Sequence, residues 1–229
     1  MDKEIRTIDL VDSELRATRR GRTIEGLGIV FNKISADLGG FREMIKPEAI
    51  KGIIETSDIL ALMNHDESRG ILARSTNGVG SMDTEVTTVG IKYIFEAPDT
   101  VLGDEALSGV RRGDIRASSF AFTVADDGDK WEKQPDETYL RTIIKFDKIF
   151  DFSLVYRPAY ADTTVAVRSL VEVKTSEASK KIADLEEELR LAKSPSDSTD
   201  VQKAEIIPEV KPEDLTSYYK ELRNKIPKK

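Results

Sequence analysis

The chain has 229 residues, 39% hydrophobic and 34% charged, with a net charge of −7, which suits one ordinary domain plus an appendage behind a wet surface. The acidic balance argues against general nucleic-acid binding, which needs a basic stripe to displace counterions, and zero cysteine removes disulfides, thiolate catalysis and thiolate-bound zinc. With one histidine, His65, a histidine-rich metal centre is excluded too; no calcium-loop spacing is present, so neither a metal nor a cofactor is expected.

The opening stretch Met1-Asp2-Lys3-Glu4-Ile5-Arg6 is too charged for a secretory signal, and no apolar run has the length of a membrane span, so a protein made in a cytosol is expected. Glu4–Leu10 alternates as a strand does, and Glu14–Thr18 continues it or begins another. After a turn at Arg19-Arg20-Gly21-Arg22, Thr23–Phe31 is a strand loosened by Gly26 and Gly28. Phe41–Ile45 is a short strand. Pro47 then suits the first turn of a helix carrying Ile50, Ile53 and Ile54. Ile59–Met63 is an apolar strand ending at Asn64-His65. Gly70–Ser75, Gly80–Thr87 and Gly90–Glu96 continue the β pattern. Thr100–Arg112 predicts a helix with Val101, Leu102, Ala106, Leu107 and Val110 on one side, stopped by Gly113-Asp114. Ile115–Val124, Leu140–Phe146 and Phe150–Tyr156 are the last strands, and Asp126-Asp127-Gly128-Asp129 reads as a hairpin turn. Many strands with few helices predict a mainly β fold, closed or partly closed into a barrel.

Composition changes near residue 170, which divides the chain into a domain over 1–170 and a charged tail over 171–229, helical or disordered. Ile182, Leu185, Leu189 and Ala192 make about two heptads of a weak coiled-coil seam. Ser194-Pro195-Ser196-Asp197-Ser198 is a flexible linker, and Pro212-Glu213-Asp214 opens a short helix carrying Leu215, Tyr218, Tyr219 and Leu222.

An enzyme working near neutral pH would have His65 as its leading general base, since imidazole alone titrates there unperturbed; otherwise His65 is a hydrogen-bonded residue at a strand end. In Ile115-Arg116-Ala117-Ser118-Ser119-Phe120-Ala121-Phe122, alternation puts Ser118 on the core side with Phe120 and Phe122. Ser119 points the other way between two alanines, with open space expected over its hydroxyl. Taken alone it reads as a small strand residue, because no nucleophile elbow surrounds it. In Ile149-Phe150-Asp151-Phe152-Ser153-Leu154-Val155 almost everything is apolar, so Asp151 either meets a partner such as a histidine or starts the strand in solvent after Lys148.

An ordered series resembles the prohead maturation proteases of tailed bacteriophages: Gly28-Ile29-Val30-Phe31-Asn32, then Phe41 to Ala49, then Asn64-His65-Asp66, then Gly113 to Phe122, then Asp151 to Val155, then Arg157-Pro158-Ala159-Tyr160 with Thr163 and Thr164. The resemblance covers about residues 20–168. It implies a β-barrel of the herpesvirus-protease type wrapped by helices. It implies His65 as general base, Ser119 as nucleophile and Asp151 as third member. Asp151 stands where that family usually has Glu, Ala121 where it usually has Gly, and Ser118 is the second-choice nucleophile. Arg157, Arg111 and Arg112 are candidate oxyanion donors by the same resemblance, or surface charges. The implied role is cleavage of the scaffolding protein, or the scaffolding segment of the major capsid protein, and of the protease itself. This would take place inside an immature capsid made in the bacterial cytoplasm, with possible dimerisation and no nucleic-acid or membrane partner. The alternatives are a non-catalytic assembly protein on the same barrel and an esterase-like hydrolase, the latter disfavoured by the missing elbow.

Overall fold

A computed structural model describes residues 3–8, 12–156 and 164–192. The chain divides into two compact units, Met1–Ile182 and Ala183–Lys229; the second is described only through residue 192. Among the described residues the architecture is mostly β with two α-helices, as expected for a mainly β fold with few helices.

The elements run β1 (Glu4–Thr7), β2 (Arg16–Ala17), β3 (Thr23–Val30), β4 (Phe41–Ile45), β5 (Asp58–Met63), β6 (Ala73–Thr76), β7 (Val79–Gly80), β8 (Met82–Val86), β9 (Gly90–Glu96), α1 (Val101–Arg112), β10 (Ala117–Val124), β11 (Asp129–Lys133), β12 (Tyr139–Ile143), β13 (Phe146–Val155) and α2 (Thr164–Ala192). Among the described residues these strands form three separate sheets, not one closed barrel: a six-stranded sheet β1-β10-β13-β5-β6-β7, a four-stranded sheet β2-β3-β9-β8 and a three-stranded sheet β11-β12-β4. Strand β13 is central, antiparallel to β10 on one side and parallel to β5 on the other, and it is buried throughout from Asp151 to Val155.

The structure departs from the local expectations in four places. Pro47 opens a short 3-10 helix, Pro47–Ile50, and turns follow it; Ile50, Ile53 and Ile54 are nevertheless all buried. The turn at Asp126–Gly128 joins strands of different sheets, since β11 pairs with β12 and β10 with β13. Strand β11, charged and without alternation, carried no strand pattern; backbone pairing with β12 makes it one. The expected helix in the tail begins earlier, at Thr164, where Leu170 packs with Phe41 and Tyr139 on the three-stranded sheet. Ile182, Leu185 and Leu189 are exposed. The linker and the short helix expected beyond residue 193 lie outside the described residues. No helix among the described residues is long and apolar enough to cross a membrane.

The glycines of β3 make room for large side chains. A Cβ on Gly28 would overlap the Phe152 ring, and one on Gly26 would press on the Tyr93 hydroxyl and Ser118 Oγ. Tyr93 and Phe152 stack with ring centroids 5.5 Å apart, so the four- and six-stranded sheets meet there. Helix α1 is capped by Thr100, whose hydroxyl accepts from Gly103 N–H, and ends on Gly113 in the left-handed region.

The three-stranded sheet is tied to β1 by buried charge. Arg6 donates to Glu43 (2.9 Å, twice) and to Glu4 (2.6 Å); Arg141 donates to Glu4 (2.7 and 2.9 Å), Glu43 (3.0 Å) and Asp129 (2.6 Å). Burial acts to raise the Glu4 carboxyl, but the two guanidiniums outweigh it and hold it below the usual glutamate range. Removing Arg141 leaves the two buried glutamates to share Arg6. Arg141→Met is therefore expected to lower unfolding free energy by about 3–5 kcal/mol, measured by urea titration, with the loss largest at neutral pH. Glu4's contribution is present above the ordinary glutamate range and vanishes as falling pH protonates the folded-state carboxyl, so the difference from the parent protein narrows in acid.

Candidate active site

Two neighbouring strands and the turn after a third each supply one residue. On β10, Ser119 faces Ser153 of β13 across the pair, and Ala121 faces Asp151, so Ser119, Ser153 and Asp151 share one face of the sheet. On the other side of β13, Leu62 of β5 pairs with Ser153, and β5 runs out just beyond. Its end is a tight turn: Asp66 N–H donates to Met63 O (3.1 Å), and the central residues Asn64 (φ 52°) and His65 (φ 59°) both take positive φ, as a mirror-image turn requires. Asn tolerates that conformation; histidine is an unusual choice where glycine would sit easily.

The turn is fastened to β13. Asn64 N–H donates to Leu154 O (3.0 Å), Tyr156 N–H to Asn64 Oδ1 (3.3 Å), and His65 N–H to Ser153 Oγ (3.2 Å). These bonds swing the imidazole back over β13 toward β10. Its Nδ1 lies 2.5 Å from Asp151 Oδ1 and its Nε2 lies 2.7 Å from Ser119 Oγ. The structure thus brings together all three residues singled out in the sequence: hydroxyl and carboxylate lie on opposite nitrogens of one ring. The aspartate spans the gap despite being a methylene shorter than glutamate. With Nδ1–H donated to the carboxylate, Nε2 is free to accept the serine proton.

Asp151 is 1% exposed, inside a sheet. Burial acts to raise its carboxyl, but the hydrogen bond and charge of His65, the Ser153 hydroxyl and the Lys3 ammonium outweigh it and hold the group below the usual aspartate range. Ser153 Oγ donates to Asp151 Oδ1 (2.7 Å) while accepting from His65 N–H, so it joins the acid to the turn that carries the ring. Ser153 was not singled out in the sequence. Its position two residues after Asp151 on one strand face was the available signal.

Ser118 is on the opposite face, its hydroxyl 2.7 Å from that of Tyr93, as alternation required. Burial pushes the Tyr93 phenol up despite that bond, so the pair stays neutral. The open space expected over Ser119 is not there: Ser119 is 0% exposed. Strand β1 pairs along β10 with Thr7 opposite Ser119; Ser119 Oγ donates to Arg6 O (2.9 Å) and lies 3.4 Å from Thr7 Oγ1. The flanking alanines left room, and a neighbouring strand took it. One hydroxyl proton therefore has two acceptors in reach, Arg6 O and His65 Nε2.

Two of the arginines named for the oxyanion are committed elsewhere. Arg111 donates to Thr18 O and Gly21 O, and Arg112 pairs with Asp114 (3.1 Å); Arg157 lies outside the described residues. Among the described residues no group of three or more His, Asp or Glu converges to hold a metal ion.

Two expectations follow from this geometry. Asn64→Ala is expected to destabilise the fold by about 1 kcal/mol, because alanine resists the left-handed region, and to slow any reaction that uses His65; thermal melting and Ser119 labelling check the two effects. Asp151→Asn is expected to cost about 3 kcal/mol at neutral pH, the range for breaking a buried pair. Because the Asp151 pKa is depressed in the fold, that deficit is present above the ordinary aspartate range and closes as pH falls through the folded value. Denaturation midpoints of both proteins against pH give the measurement.

The model of one family, caudovirus prohead serine protease, matches residues 8–179. No curated protein matches the chain. Among solved structures, the bacteriophage T4 capsid assembly protease, gp21, aligns over 68% of this chain and 98% of its own, at 12% identity and a TM-score of 0.38. With three quarters of its length inside the family model, the chain belongs to the caudovirus prohead serine proteases.

Proposed function

We propose that the protein is a serine endopeptidase in which Ser119 is the nucleophile, His65 the general base and Asp151 the residue that orients the ring. The observation that carries this reading is the continuous contact Ser119 Oγ to His65 Nε2 (2.7 Å) and His65 Nδ1 to Asp151 Oδ1 (2.5 Å). Ser119 Oγ attacks the scissile carbonyl carbon as its proton passes to Nε2. The imidazolium is stabilised by Asp151, then protonates the leaving amine as the C–N bond breaks, leaving an acyl-enzyme. Water, deprotonated by the same nitrogen, hydrolyses the ester and returns the proton to Ser119.

Membership of the family supports a place in phage capsid maturation. On this reading the substrates are the scaffolding protein, or the scaffolding segment of the major capsid protein, and the protease itself, inside the prohead assembled in the host cytoplasm. The exposed Ile182, Leu185 and Leu189 on α2 give the charged tail a surface for those partners or for a second copy, and the segment beyond it is a site for self-cleavage. The complete burial of Ser119 favours a slow resting state, in which the contacts from Arg6 and Thr7 must open before a peptide carbonyl reaches Oγ. The same burial is what favours the second reading, a non-catalytic assembly protein on this fold.

Intact mass spectrometry of the full chain, expressed as wild type, Ser119→Ala and Ser118→Ala, separates the two readings. Wild type and Ser118→Ala are expected to lose tail fragments while Ser119→Ala stays whole, since removing a serine nucleophile lowers turnover on the order of a million-fold. Equal trimming of all three proteins would sink the assignment of Ser119. An absence of cleavage that persists with capsid and scaffolding protein present would favour the assembly module.

A further inference from the structure

Asp151 has two carboxylate oxygens, and the proposed reaction uses one. Oδ1 is taken by His65 Nδ1 and the Ser153 hydroxyl. Oδ2 is buried and accepts no hydrogen bond. An ionised carboxylate with one oxygen out of water and unbonded is costly unless a cation lies beside it. The Lys3 ammonium lies 3.3 Å from Oδ2.

Resting on the reading of Ser119, His65 and Asp151 given above, we propose that Lys3 is a positioning residue of the active site, its ammonium holding Asp151 Oδ2 so that Oδ1 stays turned toward His65. The placement of Lys3 follows from the register of β1. Glu4 and Arg6 are drawn to one face by the buried network with Glu43 and Arg141, so alternation sends Lys3, Ile5 and Thr7 to the face that carries Ser119 and Asp151. Phe150, the extra residue where the register of β13 against β10 shifts, puts its ring 5.1 Å from Lys3 Nζ and gives the ammonium a second attractive surface. Lys3 keeps 37% of its side chain in solvent, so the cation is partly desolvated while it neutralises a buried charge.

His65, on Oδ1, supports the ionised carboxyl more strongly than Lys3 does, and the remaining neighbours, Ala121, Leu60 and Ser153, are neutral. Strand β10 presents Ala121 and β5 presents Leu60 at its register, β13 adds the neutral Ser153, and the turn after β5 adds His65. Lys3 is thus the cation whose removal leaves the acid facing the imidazole alone. Without it the carboxylate loses the group that distinguishes its two oxygens, and its ionised form loses support.

The single histidine makes the test clean, because the imidazole NMR signals of the full chain belong to His65 alone. Ring signals followed against pH in Ser119→Ala, which cannot cut itself on this reading, report the protonation of the carboxyl on Nδ1. The comparison adds Lys3→Met, Lys3→Gln and Lys3→Arg in the same background. The acid step of the ring signals is expected to move to higher pH in the two neutral variants and to stay in place in Lys3→Arg. With Ser119 restored, the acid limb of its labelling by a fluorophosphonate probe should move in the same direction. An acid step unchanged in both neutral variants, with melting temperature alone reduced, would mean that Lys3 merely fastens β1 and would overturn the proposal. A shifted NMR step with no labelling of Ser119 in any protein would count against the protease reading and leave the Lys3–Asp151 link standing.

Discussion

Carboxylates that lie out of water must be met by positive charge, and that requirement ties β1 to both the three-stranded sheet and the candidate site. Glu4, Glu43 and Asp151 are all nearly inaccessible. The two glutamates are met by Arg6 and Arg141, and Asp151 by His65 with Lys3. A buried ion pair is weak evidence of added stability but strong evidence of a fixed arrangement, because separating its members strands a charge. Strand β1 takes part on both faces: Glu4 and Arg6 bind it to the three-stranded sheet, and Lys3, Thr7 and the Arg6 carbonyl reach the proposed catalytic residues. A shift of one residue in its register would exchange these faces and break both sets of contacts at once.

The site itself is built by sheet register and a turn. Pairing across β10, β13 and β5 sets Ser119, Ser153 and Leu62 in one row, and the turn beyond β5 lifts the imidazole over β13. Two consecutive residues in the left-handed region are a local strain held by surrounding bonds, here those of Asn64 with Leu154 and Tyr156 and of His65 with Ser153. Glycine at position 65 would relieve the turn, but it would also remove the proposed base and take from the buried Asp151 carboxylate its partner on Oδ1. Backbone conformation and side-chain pairing therefore pull in opposite directions at that residue.

The inner face of the six-stranded sheet is divided between two neighbours. Toward the four-stranded sheet it presents Phe152 against Tyr93 and Gly28, and Ser118 against the same tyrosine. Toward the three-stranded sheet it presents Phe122 beneath the Arg6 guanidinium (5.5 Å) and the charge network. The two serines of β10 thus have distinct environments one residue apart: Ser118 faces a neutral phenol in the core and Ser119 faces an imidazole. Only Ser119 has a base within reach.

Residue types and alternation by themselves determined a good part of this. Apart from β11, most strands from Thr23 to Val155, the capped helix ending at Gly113 and the separation of Ser118 from Ser119 follow from period, caps and pleat, which are local properties. The lone histidine narrowed the search for a base to one residue, and an aspartate in an apolar strand asked for a partner it could not name. Only the tertiary structure decided who that partner was, that Ser153 joins acid to turn, that β1 covers Ser119, and that the charged Glu4 and Arg6 are buried. Those facts depend on which strands become neighbours across more than a hundred residues, such as Arg6 beside Ser119, and on desolvated charge finding its complement. No local pattern records such distant pairings.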